Sequence, residues 1–358
     1  MSFFIFLYFS FMLFLFHYAS SRQPLCHDGE RSALLRFKES FSIDCKSASF
    51  DPSTYSKTEH WNLEEDMSDC CSWDGVECNE GTGYVIKLDL SSSCLYGHIN
   101  STSTLFNLVH LQWLSLADNY FNQSKIPCEM KNLSKLSHLN LSNSYFSGQI
   151  PSEILELSKL ESLDLSGNLN WLELQQPGLE SLVQKLTNLR VLNLHKVNIS
   201  SSLPYVLTDL SSLNFLSLAN CNLKGTILWS FGNLNNLTHL DLSGNNFQGT
   251  IPSSLYNLAN LAYLDLSYCN FSSLDPDSSL GKLPASLGNL GSLEKLDLGF
   301  GDFSGQVPSS FSHLTKVKYL DLSGIHLVGD IPSCLMNLSQ LSELYMCCND
   351  QLTGPIPY

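Results

Sequence analysis

Apolar and polar residues follow one another along this chain in an order that neither a single amphipathic helix nor a plain alternating strand explains. In "LDLSGNNFQGTIPSSLYNL", residues 240–258, Leu240 and Leu242 alternate as on a short strand, because strand side chains have a period of two. Asn245 then marks a turn off that strand, Phe247 and Ile251 point inward again, and Leu255 and Leu258 form an opposite wall. Gly249 predicts a tight corner, where a residue without a Cβ is tolerated. Pro252 has no N–H and is predicted at the margin of a secondary strand. The same order, LxxLxLxxNxFxGxIPxxLxNLxx, returns from Leu111, Leu136, Leu160, Leu189, Leu213, Leu237, Leu261, Leu293, Val317 and Leu341, and an earlier unit holds "VIKLDLSSSCLYGHI". Most steps are 24 residues, with longer ones after Leu160 and Leu261. Each unit predicts one turn of a solenoid.

A pattern with this period is that of a leucine-rich repeat, whose units bury their apolar face only by stacking. The predicted class is an α/β solenoid, a right-handed leucine-rich repeat superhelix whose units carry Gly-x-Ile-Pro. At the turn position, Asn119, Asn168, Asn245 and Asn349 predict a ladder whose amides satisfy buried backbone groups. Cys221 and Cys269 take the same place and are predicted to be buried substitutes; Val197, Gly301 and Ile325 interrupt the ladder. The non-leucine strand positions project together onto the concave face. One column collects Trp113, His138, Phe215, His239, Tyr263 and Tyr319, and aromatics on a rigid sheet are good anchors for a partner. The neighbouring column of aspartates is weaker evidence, since "LDLS" recurs as repeat consensus.

Composition narrows the function. Net charge is −15, which argues against nucleic-acid binding, a function that needs a basic footprint. Residues 3–16, "FFIFLYFSFMLFLF", are too short to span a bilayer and predict a cleaved signal peptide over 1–21. Twelve cysteines suit the oxidising compartment that a leader implies. Sequons at Asn100, Asn122, Asn132, Asn198, Asn236, Asn270 and Asn337 are candidate glycosylation sites; Asn140 also carries one but projects from the concave strand. No triad, metal spacing or cofactor motif emerges, so an enzyme is not expected, and neither a metal nor a cofactor is.

The segment "LCHDGERSALLRFKESF…DCCSWDGVECNEGTGYVIKLDL" looks like the N-terminal cap of plant extracellular leucine-rich repeat proteins. With the repeats, the chain resembles plant receptor-like proteins of the disease-resistance type. That resemblance implies a cap over 22–83 stapled by Cys26–Cys70 and Cys71–Cys78, followed over 84–358 by about eleven repeats, the last incomplete. It implies a helix over roughly 28–41 with Leu34, Leu35 and Phe37 facing the first repeat, and Trp73 under a hairpin. Cys45 and Cys94 are additional to this pattern, with a mutual bridge and free thiols both open. Cys347 and Cys348 are placed on strand positions.

The resemblance further implies an extracellular module that senses a peptide or protein ligand and recruits a co-receptor kinase, in defence signalling. Its place would be the outer side of the plasma membrane within a longer receptor, or otherwise the apoplast. The chain stops at "LTGPIPY" without a closing cap or membrane span, so the expectation is a truncated receptor ectodomain. The competing expectation is a secreted inhibitor of microbial wall-degrading enzymes, resembling polygalacturonase-inhibiting proteins.

Overall fold

A computed structural model describes residues 25–48, 54–62, 69–271 and 281–354. The expected leader over 1–21 lies outside the described residues. The repeats build one twelve-stranded sheet running from Val76–Cys78 to Glu343–Tyr345. Its first pair is antiparallel. Every later pair is parallel, with the leucine of each strand opposite the leucine of the next, as Leu216 is opposite Leu240 and Leu240 opposite Leu264. The LxL leucines are therefore shared between rungs: Leu240, Leu242, Leu264 and Leu266 are all fully buried.

After each strand the chain turns, crosses the axis at an apolar side chain, and returns along the convex side. Phe121, Phe146, Phe247, Phe271 and Phe303 fill the axis, with Phe121 and Phe146 centred 5.0 Å apart. Gly249 sits at the corner with φ +78°. Secondary parallel pairs such as Lys224–Gly225 with Asn246–Phe247 line one flank. Pro252 lies five residues beyond that pair and enters the convex 3-10 turn Ser253–Asn257 instead. Its carbonyl accepts the Leu255 N–H at 3.0 Å, and its missing donor would be unused at a helical N-terminus anyway. The longer step after Leu160 is taken up by an α-helix, Leu179–Lys185, where other units have 3-10 turns.

The ladder follows the chemistry of each residue. Asn245 Oδ1 accepts the N–H groups of Cys221 and Leu223 at 3.1 and 3.0 Å. Its amide donates to the carbonyls of Leu218 and Leu242, both at 2.8 Å. Cys221 Sγ donates to the Leu194 carbonyl at 3.0 Å and Cys269 Sγ to that of Leu242 at 3.4 Å. A thiol has no strong acceptor, so the Ile199 N–H turns to the Cys221 carbonyl instead. Ser144 also fills a ladder place, donating to the Leu116 carbonyl at 2.7 Å.

In the cap, the helix spans Asp28–Glu39 and buries Ala33, Leu34 and Phe37, with Leu35 half-buried. It ends earlier than expected because Phe41–Ile43 leaves to pair antiparallel with Leu95–Gly97, which carries the Phe41 ring to 5.5 Å from Phe121. Glu30 accepts the Val85 N–H at 2.8 Å and ties the helix to the first repeat strand. Trp73 is buried and stacks on Trp61 at 5.3 Å. The cap disulfides join Cys26 to Cys70, Cys71 to Cys78 and Cys45 to Cys94. Cys347 and Cys348 lie past the strand Glu343–Tyr345, on the turn rather than on strand positions.

Candidate functional site

Parallel pairing without register shift sets equivalent side chains side by side, about 4.8 Å apart. On the concave face Phe215, His239, Tyr263, Lys295 and Tyr319 are consecutive partners. Phe215 and His239 stack at 4.1 Å, His239 and Tyr263 at 3.8 Å. The Lys295 ammonium then lies 4.8 Å from the Tyr263 ring and 4.6 Å from the Tyr319 ring. The result is one continuous stack of rings with a cation inserted. Each of these rings is half-buried by its neighbours rather than freely exposed.

Trp113 and His138 form a separate stack at 4.1 Å, with the Lys87 ammonium 5.6 Å from the indole. Ser162 and Val191 divide the two groups. The six candidate residues thus occupy two platforms. Lys295 shares the column of the six candidates without being one of them, and its position between two tyrosines is the signal that finds it.

Beneath the rings runs the aspartate column. Asp241 and Asp265 each accept, on Oδ1, the N–H and hydroxyl of the serine two residues on, at 3.1 and 2.7 Å in both rungs. The recurring "D-x-S" is therefore a turn device in these rungs. Further along, Lys295 Nζ lies 3.9 Å from Asp265 and 4.0 Å from Asp297 and donates to the Tyr263 hydroxyl at 3.2 Å. Burial, reinforced by the Asp265 charge, pushes the Asp297 carboxyl up to about 6. Burial also raises Asp265 and pulls the His239 imidazole down to about 4, so His239 is a neutral ring at physiological pH.

Little of this is reaction chemistry. Burial pushes the Cys221 and Cys269 thiols up to about 12, and both donate to carbonyls. Among the described residues, the one group of side chains with metal-ligand spacing is Cys26, Cys70 and Cys71, all in disulfides. Among the candidate glycosylation sites Asn100, Asn132, Asn236, Asn270 and Asn337 are exposed, whereas Asn122 and Asn198 are half-buried. No helix among the described residues is long and apolar enough to cross a membrane.

A long parallel sheet, a shared leucine core and an N-terminal domain closed by disulfides define a leucine-rich repeat solenoid of extracellular type. The leucine rich repeat N-terminal domain family matches residues 27–79, and leucine rich repeat families match 135–157, 212–234, 229–271 and 260–290. Receptor-like protein 7 of Arabidopsis thaliana is 44% identical over 199 residues, covering 53% of this chain and 19% of that protein. Receptor-like protein 6 of the same plant is 38% identical over 219 residues, covering 57% and 22%. Among solved structures, the ectodomain of the Arabidopsis receptor kinase HAESA, in complex with an IDA peptide hormone, is 28% identical with a TM-score of 0.67, covering 88% of this chain and 52% of that one. Over about half its length the chain is similar to plant leucine-rich repeat receptor-like proteins, and it spans about a fifth of the length of the curated relatives it matches.

Proposed function

We propose that this chain is the ligand-sensing part of a plant cell-surface receptor-like protein and binds an extracellular peptide or protein on its concave face. The single observation that carries the reading is the unbroken stack from Phe215 to Tyr319 on an in-register sheet. Its side chains are already ordered by one another, so covering them with a partner costs little further rotamer entropy. The HAESA ectodomain, of related sequence and fold, holds a peptide hormone, which favours an extended peptide here. Recruitment of a co-receptor kinase and a role in defence are what the resemblance to disease-resistance receptor-like proteins adds. The receptor-like relatives favour this over a secreted enzyme inhibitor.

In this reading a signal peptide over 1–21 precedes a cap over 22–83 and about eleven right-handed repeats of Gly-x-Ile-Pro type over 84–358. The protein works at the outer side of the plasma membrane as part of a longer receptor. The experiment is interferometry of the secreted chain against a panel of synthetic extended peptides, repeated with Phe215→Ser combined with Tyr263→Ser. Peptides that bind the wild type should weaken at least tenfold, about 1.4 kcal/mol. Undiminished binding to the double variant would remove the concave stack as the ligand surface.

A further inference from the structure

The margin of the sheet where the strands begin carries two grooves of similar size. One, of about 540 Å³, is lined by Gln112, Lys135, Ser137, Lys159, Glu161 and Asn188. The other, of about 530 Å³, follows the later rungs and is lined by Arg190 together with amide and hydroxyl side chains such as Asn214 and Thr238. The two are built alike, from residues that flank the opening leucine of each repeat. They differ in charge.

The residue just before the opening leucine is His110, Lys135 and Lys159 in three consecutive units and is uncharged in the next five, from Asn188 to Ser292. In the later groove Arg190 is engaged, with its Nε 3.1 Å from Glu161 Oε2. That contact also occupies the carboxylate of the first groove. Lys135 and Lys159 are both exposed and form no ion pair among the described residues.

The sheet beside these lysines is poor in acid. Its inner column holds Ser115 and Asn140 at the rungs of Trp113 and His138, where later rungs hold Asp241, Asp265, Asp297 and Asp321. Asp164, one rung on, is bonded on both oxygens, by the Ser166 hydroxyl at 2.6 Å and the Asn193 amide at 3.1 Å. In a chain of net charge −15, two unpaired cations thus border one acid-poor stretch of the concave face. The groove also adjoins the Trp113–His138 platform, since Gln112 and Ser137 directly precede those two rings.

We propose that this groove receives a carboxylate side chain of an extended peptide, held between the Lys135 and Lys159 ammonium groups. The proposal rests on the concave face being the ligand surface and names a second point of selection on it. Charge complementarity favours an anion. An ammonium is a compact charge on a flexible stem, so two lysines one rung apart can converge on one carboxylate. The amides and hydroxyl of Gln112, Ser137 and Asn188 line the same groove and belong to groups that can donate to it. The sheet register fixes where in the peptide the acid stands. From midway between the His138 and Ser162 rungs to Phe215 is two and a half rungs, about 12 Å at about 4.8 Å each. An extended chain covers that in roughly four residues, at about 3.3 Å per residue.

The test is interferometry of the full secreted chain against synthetic decapeptides that carry one phenylalanine and, four residues to either side of it, glutamate, glutamine or lysine. The glutamate peptide should bind about fivefold more tightly than its glutamine isostere, as two exposed ion pairs allow, with the lysine peptide weakest. Raising the salt concentration should shrink that advantage. Lys135→Gln combined with Lys159→Gln should erase it, while the glutamine peptide binds as before and the melting temperature holds, since both side chains are exposed. Lys131→Gln combined with Lys185→Gln removes the same charge from the convex side and should leave the advantage intact. Equal binding of glutamate and glutamine peptides, abolished by Phe215→Ser with Tyr263→Ser, would overturn the carboxylate subsite and leave the stack standing. An advantage that depends on the two lysines but survives Phe215→Ser with Tyr263→Ser would uphold the groove and remove the stack as the ligand surface. An advantage lost equally in the convex variant would reduce it to overall charge and overturn the proposal. Binding of an oligogalacturonate through the two lysines, with no acidic peptide bound, would also overturn it, and absence of binding by every peptide would sink both readings.

Discussion

Replacing Asn245 by alanine tests whether the ladder holds the rungs together. Asn245 is nearly fully buried. Its loss strips the acceptor from two N–H groups, those of Cys221 and Leu223, both on residues with no solvent exposure. It also strips the donor from the Leu218 carbonyl, while the Leu242 carbonyl keeps the Cys269 thiol. An orphaned buried donor costs about 1–3 kcal/mol, so the two N–H groups together predict roughly 2–6 kcal/mol, a large part of the 5–15 kcal/mol that typically holds a domain. Asn245→Cys should recover about 1 kcal/mol of that loss, because a thiol still donates to the carbonyls, as Cys221 does one rung away. Denaturant unfolding measures the difference. Amide hydrogen exchange localises it, with Cys221 and Leu223 losing protection first. A loss below 1 kcal/mol, with both amides still protected, would refute the reasoning.

Leu240→Asp should prevent folding, since it puts an unpaired charge between two fully buried leucines; secreted variant with unchanged circular dichroism would contradict it. Non-reducing peptide mapping should recover Cys26–Cys70, Cys71–Cys78 and Cys45–Cys94 and no Cys70–Cys78 pair. Asp297, raised above its usual value to about 6, contributes stability that is full at low pH and lost as pH rises through 6, so the stability of Asp297→Asn relative to wild type should increase from pH 4 to 7. His239, depressed to about 4, contributes stability that is present at neutral pH and lost as pH falls through 4; His239→Phe, which keeps the stack, should shift relative stability in the opposite direction across the same range. Two thermal melts against pH with the same sign would show that these groups are not buried as described.

What was legible in the sequence is what the period repeats. The LxL core, the asparagine ladder, the cysteine substitutes and the shared concave column all follow from local spacing, because each rung solves the same packing problem. What escaped needed contacts between distant segments. Cys45 and Cys94 come together only because Phe41–Ile43 pairs with Leu95–Gly97, and no local pattern announces that strand. Trp61 lies in a stretch without periodicity and is placed by its partner Trp73. Ser144 was missed because its hydroxyl both donates to the Leu116 carbonyl and accepts the Asn119 N–H in place of an amide, and serine carries no pattern of its own. The half-burial of the aromatic column escaped for a related reason. Alternation tells which face a residue takes, but only the exact register tells that its neighbour will stack on it.

That division bears on where recognition resides. A residue that fits the consensus is explained by the rung: Asp241 and Asp265 are held by their serines whether or not a ligand exists. Departures from consensus have no such explanation. Lys295 interrupts a column of rings, Gly299 removes a serine its aspartate would otherwise bond, and Tyr268 and Phe300 occupy a backbone conformation that favours glycine or asparagine. All four fall within the two rungs that begin at Leu261 and Leu293. Departures of one kind are not confined to these rungs, since Lys196 takes the same left-handed position at φ +64°. What sets these rungs apart is the Lys295 cation inserted between the Tyr263 and Tyr319 rings on one face, the arrangement expected when a ligand contacts that stretch of the sheet.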